Sequence, residues 1–265
     1  MHRILFCTVI IFLFTGCYAA GRPDGESQYQ PFAPDGIPFV VAGSTWEPDG
    51  FGNHRVVVSD GDSVEAVKVV LPWRRPDMRP ETKRVHVTAA SGQTVKDVAI
   101  LDFSVEKGVI AFRPEAGAGV YHIYYLPYKF RKGYDDARYG EPWNDYLSPE
   151  STAGQAWEET VKNHLSALPE AVPERFEARS RFDFFTPMGL IATKEEVQAL
   201  KAGSTDDFLV FPEDRAFPIR LTVIPARWAP GASRMFEGHA LPNEYYTWQL
   251  GVWAARKTLE QVRLT

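Results

Sequence analysis

The chain has 265 residues, 45% of them apolar and 24% charged, which is ordinary globular composition and enough material for a packed core in one or two domains, so disorder and coiled coil are excluded as descriptions. Twenty Gly, 20 Pro and 13% aromatic residues favour a turn-rich all-β chain over a helical bundle. With 29 basic against 34 acidic residues, a net charge of -5 and no long basic run, the electrostatic footprint of a nucleic-acid binder is missing.

Met1 to Arg3 carries one positive charge, Ile4 to Phe14 is nearly apolar, and Phe14-Thr15-Gly16-Cys17 leads into the polar Gly21-Arg22-Pro23-Asp24. This is the three-part build of a secretory signal. The apolar run falls well short of the about 18 residues that a membrane-spanning helix needs. Thr15-Gly16-Cys17 resembles the bacterial lipobox, where small residues admit a dedicated peptidase to a Cys that then carries acyl chains, although Phe14 stands where Leu is usual. Residues 1–16 are accordingly expected to be a lipoprotein signal peptide, with Cys17 lipidated. The exported protein is then held to a bacterial membrane, on its periplasmic or cell-surface side, through that lipid alone. Ordinary cleavage after Ala19 or Ala20 would instead leave a soluble periplasmic or secreted protein. Cys7 and Cys17 are the only cysteines, so the folded part has no disulfide, no Cys-based zinc site and no cysteine nucleophile.

Residues 17–53 are rich in Pro and Gly, including Pro23, Pro31, Pro34, Pro38 and Pro48, and read as a tether and lead-in, with order expected from about His54. Short strand-like runs follow at 55–59, 64–71, 84–89, 95–101, 109–113 and 120–127, separated by turn signals such as Asp60-Gly61-Asp62 and Ser91-Gly92. Between Arg84 and Ala89 the alternation is clean: Val85, Val87 and Ala89 share one side, and Arg84, His86 and Thr88 the other. Residues 128–150 are polar and aromatic without period and are expected to form a long loop. Trp157, Val161, Leu165 and Leu168 recur at helical spacing, with Ser151 or Thr152 as cap and Pro169 as stop. Thr193 and Glu196 make a capping box for a second helix that Gly203 ends. Strands resume at 175–183, 208–211 and 219–224, and the last alternates from Tyr245 to Ala254, with Trp248 and Leu250 expected to be buried. The expected fold is mainly β, an antiparallel β-sandwich over 54–265 with two short inserted helices.

No Gly-x-Ser-x-Gly elbow occurs, and Gly117-x-Gly119 lies between two strands rather than before a helix, so it reads as a hairpin turn. The histidines of the mature chain lack ligand spacing, and neither a metal nor a cofactor is expected. Carboxylate pairs suit glycoside hydrolysis. Glu158-Glu159 and Glu195-Glu196, however, fall in first helical turns, where they complement the helix dipole, and Glu213-Asp214 reads as a turn paired with Arg215 or Arg220. No catalytic residue emerges. Trp73, Arg74, Tyr134 and Trp143 are the candidates for carbohydrate contact, because aromatic faces stack on sugar rings and Arg binds hydroxyls.

The stretches VVLPWRRPDMRPETK (69–83), VYHIYYLPY (120–128), FTPMGLIATKEEV (185–197), FLVFPEDRAFPIR (208–220) and NEYYTWQLGVWAARKTLEQVRL (243–264) together resemble the N-terminal β-sandwich region of glycoside hydrolase family 123-like proteins. The resemblance implies a sandwich that precedes a (β/α)₈ barrel, which removes N-acetylgalactosamine with help from the substrate's acetamido group and an adjacent Asp-Glu pair. No Asp-Glu dipeptide occurs in this sequence, and a barrel needs roughly 250 residues. The chain is therefore expected to be a non-catalytic accessory domain in carbohydrate metabolism at the cell surface, truncated or split from its barrel. Its expected partners are a glycan ligand or a separately encoded barrel. The alternative is a free-standing surface lipoprotein that binds carbohydrate or a protein.

Overall fold

The structure is a computed structural model, and the residues described are 5–7, 33–61, 66–77, 79–130, 144–150 and 153–263. In chain order the strands are β1 (Leu5–Cys7), β2 (Phe39–Val41), β3 (His54–Asp60), β4 (Val67–Leu71), β5 (His86–Ala89), β6 (Val98–Phe103) and β7 (Gly108–Phe112). They continue as β8 (Gly119–Tyr124), β9 (Tyr128–Phe130), β10 (Asn144–Tyr146), β11 (Val172–Ala178), β12 (Leu209–Asp214) and β13 (Trp248–Trp253). Among the described residues two α-helices, α1 (Gln155–Asn163) and α2 (Lys194–Ala202), accompany the strands of a mainly β protein. The chain divides into two compact units, residues 31–185 and residues 186–265 with 1–30.

The unit of residues 31–185 is the sandwich, with one sheet in the order β2-β11-β3-β8-β5 and the other β4-β7-β6. Every pairing in it is antiparallel except β2 on β11. Because side chains alternate along a strand, Val56, Val58, Tyr121, Ile123 and Val87 share the inner face of the first sheet, and Val67, Val69, Ile110 and Phe112 that of the second. All of these are fully buried. The rings of Phe112 and Tyr121 meet between the sheets at 5.0 Å. β5 follows the alternation read from the sequence, with Val85, Val87 and Ala89 buried.

Helix α1 begins at Gly154, which offers no side-chain cap; Ser151 and Thr152 lie outside the described residues. Its apolar stripe packs Val161 with Ala66 and Ala111, flanked by Leu101, Trp157 and Leu168. Order also starts earlier than the tether reading expected. Phe39 of β2 is buried and stacks on Phe184 at 4.9 Å. Within 128–150, β9 and β10 pair as Tyr128↔Tyr146 and Phe130↔Asn144, so that stretch is only partly loop. Neither short strand has a period long enough to be seen in sequence.

In the other unit β12 pairs antiparallel with β13, whose opposite edge pairs with β1 through Leu5↔Val252 and Cys7↔Leu250. The capping box of α2 is present: the Glu196 amide donates to Thr193 Oγ1, and the Thr193 amide donates to the Glu196 carboxylate. Met188, Leu200, Leu209, Phe211, Ile224, Trp228 and Trp253 form the core. Residues 219–224 are not a strand. They lie between Pro218 and Pro225, which have no N–H to give to a ladder.

Trp248 and Leu250 are half-buried rather than buried, while Val252 on their own face and Gly251 and Trp253 on the other are buried, so burial deepens along β13. Trp228 lies on Gly251 so closely that a Cβ there would overlap the indole. Trp73 covers Gly108 of β7 in the same way. Trp253→Ala is expected to cost about 3–5 kcal/mol, and Trp248→Ala only about 1 kcal/mol. Gly108→Ala and Gly251→Ala are each expected to cost about 1–3 kcal/mol by overpacking. Denaturant unfolding followed by circular dichroism checks all four, and equal losses for the two Trp variants would contradict their assigned burial.

Candidate functional site

Of the residues singled out by sequence, Trp73 and Arg74 lie in the segment that leaves β4, while Tyr134, Trp143 and Cys17 fall outside the described residues. Trp73 is 2% exposed. Its ring packs against Phe103 and Tyr125, with centroids at 4.7 and 5.8 Å, and its indole N–H donates to the Ser104 carbonyl at 2.9 Å. With both faces used inside the fold, it offers no platform to a sugar, which corrects that expectation. Arg74 is buried too and pairs with Asp35 at 3.2 Å. It has φ +45, the left-handed region that an L-residue enters at a cost of about 1 kcal/mol. Its amide donates to the Glu106 carbonyl and that of Arg75 to Val105, at 2.9 and 2.7 Å, which secures the turn.

Arg75, which the sequence reading passed over, is the most deeply buried charge of the segment. Its Nε donates to Asp77 at 2.6 Å, whereas Nη1 and Nη2 have no hydrogen-bond partner among the described residues. The guanidinium lies over Trp73 at 5.1 Å and within 5.8 Å of the Phe103 ring. Those ring faces attract the cation without hydrogen bonds. Burial lowers its pKa, and the charge and hydrogen bond of Asp77 oppose that shift.

A second charged cluster crosses three strands of the larger sheet. Arg55 of β3 meets Glu177 of β11 at 2.7 Å, with Nη1 directed at His122 Nδ1 (3.3 Å) and Tyr124 Oη (3.4 Å) of β8. Trp46 covers the guanidinium at 4.4 Å, and Arg175 gives Glu177 a second donor at 2.7 Å. Burial pushes Glu177 up, but the bonds from Arg175 and Arg55 outweigh it and hold its pKa low. The pair thus locks β11 to β3. Because His122 Nδ1 accepts from a cation, the ring proton sits on Nε2.

Glu213 and Asp214 do not pair with Arg215 or Arg220 as the sequence suggested. Glu213 is buried and receives Arg227 Nε at 3.0 and 3.1 Å and the Trp228 indole N–H at 2.8 Å. Asp214 accepts the Ala216 amide at 2.7 Å and the Tyr246 hydroxyl, whose pKa burial and Asp214 push up to about 12. Arg215 turns instead to Glu244. These carboxylates, engaged by donors of the same unit, position Arg227, Trp228 and Tyr246. Among the described residues no group of three or more His, Cys, Asp or Glu is placed to hold a metal.

The unit of residues 31–185 defines the class: an antiparallel β-sandwich module whose buried charges serve the packing of its sheets. The profile of the glycoside hydrolase 123 N-terminal domain matches residues 44–179, and the chain belongs to that family. The match ends just short of the boundary between the units. No curated protein and no solved structure matches the chain.

His54 supplies a test of the electrostatics. Its Nε2–H donates to the Asp183 carbonyl at 2.6 Å, its ring stacks on Phe185 at 4.3 Å, and burial lowers its pKa from 6.5 to about 4. Burial first, and Arg55 next, lower His122 to about 4 as well. Between about pH 6.5 and pH 4 the unfolded chain takes up protons that the folded rings refuse. The stability conferred by these neutral rings is complete above about pH 6.5 and falls with pH down to about 4. For fully buried His54 the slope is about 1.4 kcal/mol per pH unit. Urea unfolding at pH 7 and pH 5 is expected to show this loss, and His54→Gln is expected to flatten it.

Proposed function

We propose that the chain is a non-catalytic accessory domain of a glycoside hydrolase 123 system, acting in glycan metabolism at a bacterial cell surface. The observation that carries this reading is the match of residues 44–179 to the family's N-terminal domain. The carboxylates support it: a glycosidase must hold an acid and an assisting carboxylate around one sugar ring, whereas Glu213 and Asp214 are occupied by Arg227, Trp228 and Tyr246. Attachment through Cys17 belongs to the same proposal and rests on the short apolar run that ends in Thr15-Gly16-Cys17. More than one acyl chain is needed for a firm hold, since each buried CH₂ contributes about 0.8 kcal/mol. Cleavage before Cys17 would also remove β1 and uncover the Leu250–Val252 edge of β13.

The purified chain is expected to release nothing above the blank from a chromogenic N-acetylgalactosaminide. Glu213→Gln is expected to lower stability by about 1–3 kcal/mol without touching turnover. Turnover that vanishes in Glu213→Gln would make the chain an enzyme. Mass spectrometry of the membrane fraction tests the anchor: an acylated N-terminus at Cys17 is expected, lost in Cys17→Ala. A wild-type protein that is soluble and begins at Ala20 or Gly21 contradicts it.

A further inference from the structure

The unit of residues 186–265 carries a groove of about 670 Å³ between the end of α2, the start of β12 and residues 229–234. Its size falls in the range of about 300–1,000 Å³ usual for small-ligand sites. We propose that this groove binds a neutral sugar. Leu200 and Leu209 are its buried apolar lining, and Phe208 has 47% of its surface open to solvent. Asp206 and Arg234, also in the lining, form an ion pair at 3.0 Å with side chains 48% and 83% exposed. The Asp206 amide donates to Ser204 Oγ at 3.0 Å, which fixes the turn bearing the carboxylate.

The chemistry selects the ligand. One negative and one positive group balance, so the groove favours neither an anion nor a cation. An exposed ion pair contributes little to stability, so it opens readily to a ligand. A carboxylate that accepts and a guanidinium that donates through a planar fork then match the paired hydroxyls of a sugar. The open ring of Phe208 suits the C–H face of the same ligand, as aromatic linings of ligand pockets do. At Gly231 a Cβ would meet nothing within 4 Å, so space is open beside that residue and a pyranose can approach its backbone. An extended peptide fits less well. The Val210 carbonyl already accepts the Ser233 amide at 3.2 Å, and Pro212 has no N–H for a further strand. The choice of a sugar over other neutral polyols rests on the proposed role in glycan metabolism.

Titration of the purified chain with N-acetylgalactosamine, galactose and glucose, followed by ¹H–¹⁵N NMR, tests the proposal. Saturable shifts confined to residues 199–210 and 229–234 are expected with at least one of them. Phe208→Ala and Arg234→Ala are each expected to raise Kd about tenfold with an unchanged circular dichroism spectrum. Ala232→Trp, at an exposed position of the lining, is expected to abolish binding by filling the groove. Absence of saturation with all three sugars, saturable shifts elsewhere, or binding that survives Ala232→Trp overturns it. The hydrolysis assay run on the same preparation separates the two readings: turnover overturns the accessory role and leaves the groove, while silence in both assays overturns the groove alone.

Discussion

Each unit is organised around a tryptophan laid on a glycine of a strand. Trp73 lies on Gly108 and Trp228 on Gly251, so closely in both cases that any side chain at the glycine would occupy the space of the indole. A flat ring buries a large apolar area only if nothing rises from the strand beneath it. Each indole N–H must still find an acceptor in the interior. Trp73 uses the Ser104 carbonyl and Trp228 uses Glu213.

Much of the electrostatics follows from those two placements. Drawing Trp73 inward carries the next two residues with it, so Arg74 adopts a positive φ and Arg75 is buried beneath aromatic rings with Asp77 as its counter-ion. In the other unit Trp228 brings Arg227 beside Glu213, and one carboxylate serves both donors. Removing one partner of such a buried pair is costly because the other charge then lies in a medium that solvates it poorly. The same burial keeps His54 neutral and strengthens the hold of Arg55 on Glu177. Residues that look functional in a linear reading, Trp73 with Arg74 and a Glu-Asp pair, are thereby spent on structure.

What solvent still reaches lies elsewhere. Phe208, Asp206 and Arg234 are open around the groove of the unit beyond the family match. They are scattered over 206–234, and only the return of residues 229–234 beside β12 brings them together. Arg75 escaped notice for a related reason: nothing in Trp-Arg-Arg-Pro says which arginine turns inward. That choice is made by the amides of Arg74 and Arg75, which bond to Glu106 and Val105 thirty residues away.

The β class, the positions of most strands, and the second helix with its capping box were legible in the amino-acid sequence, because alternation and capping are properties of neighbouring residues. The sequence also carried the family resemblance, since the long stretches around Trp73, Tyr121 and Phe211 are contiguous. Contacts between distant segments set which end of β13 is buried, place Trp73 inside the protein, and pair Glu213 with Arg227 rather than Arg215. Trp248 and Trp253 are equally apolar, and local pattern cannot rank them. The ranking is settled by packing between segments far apart in the chain.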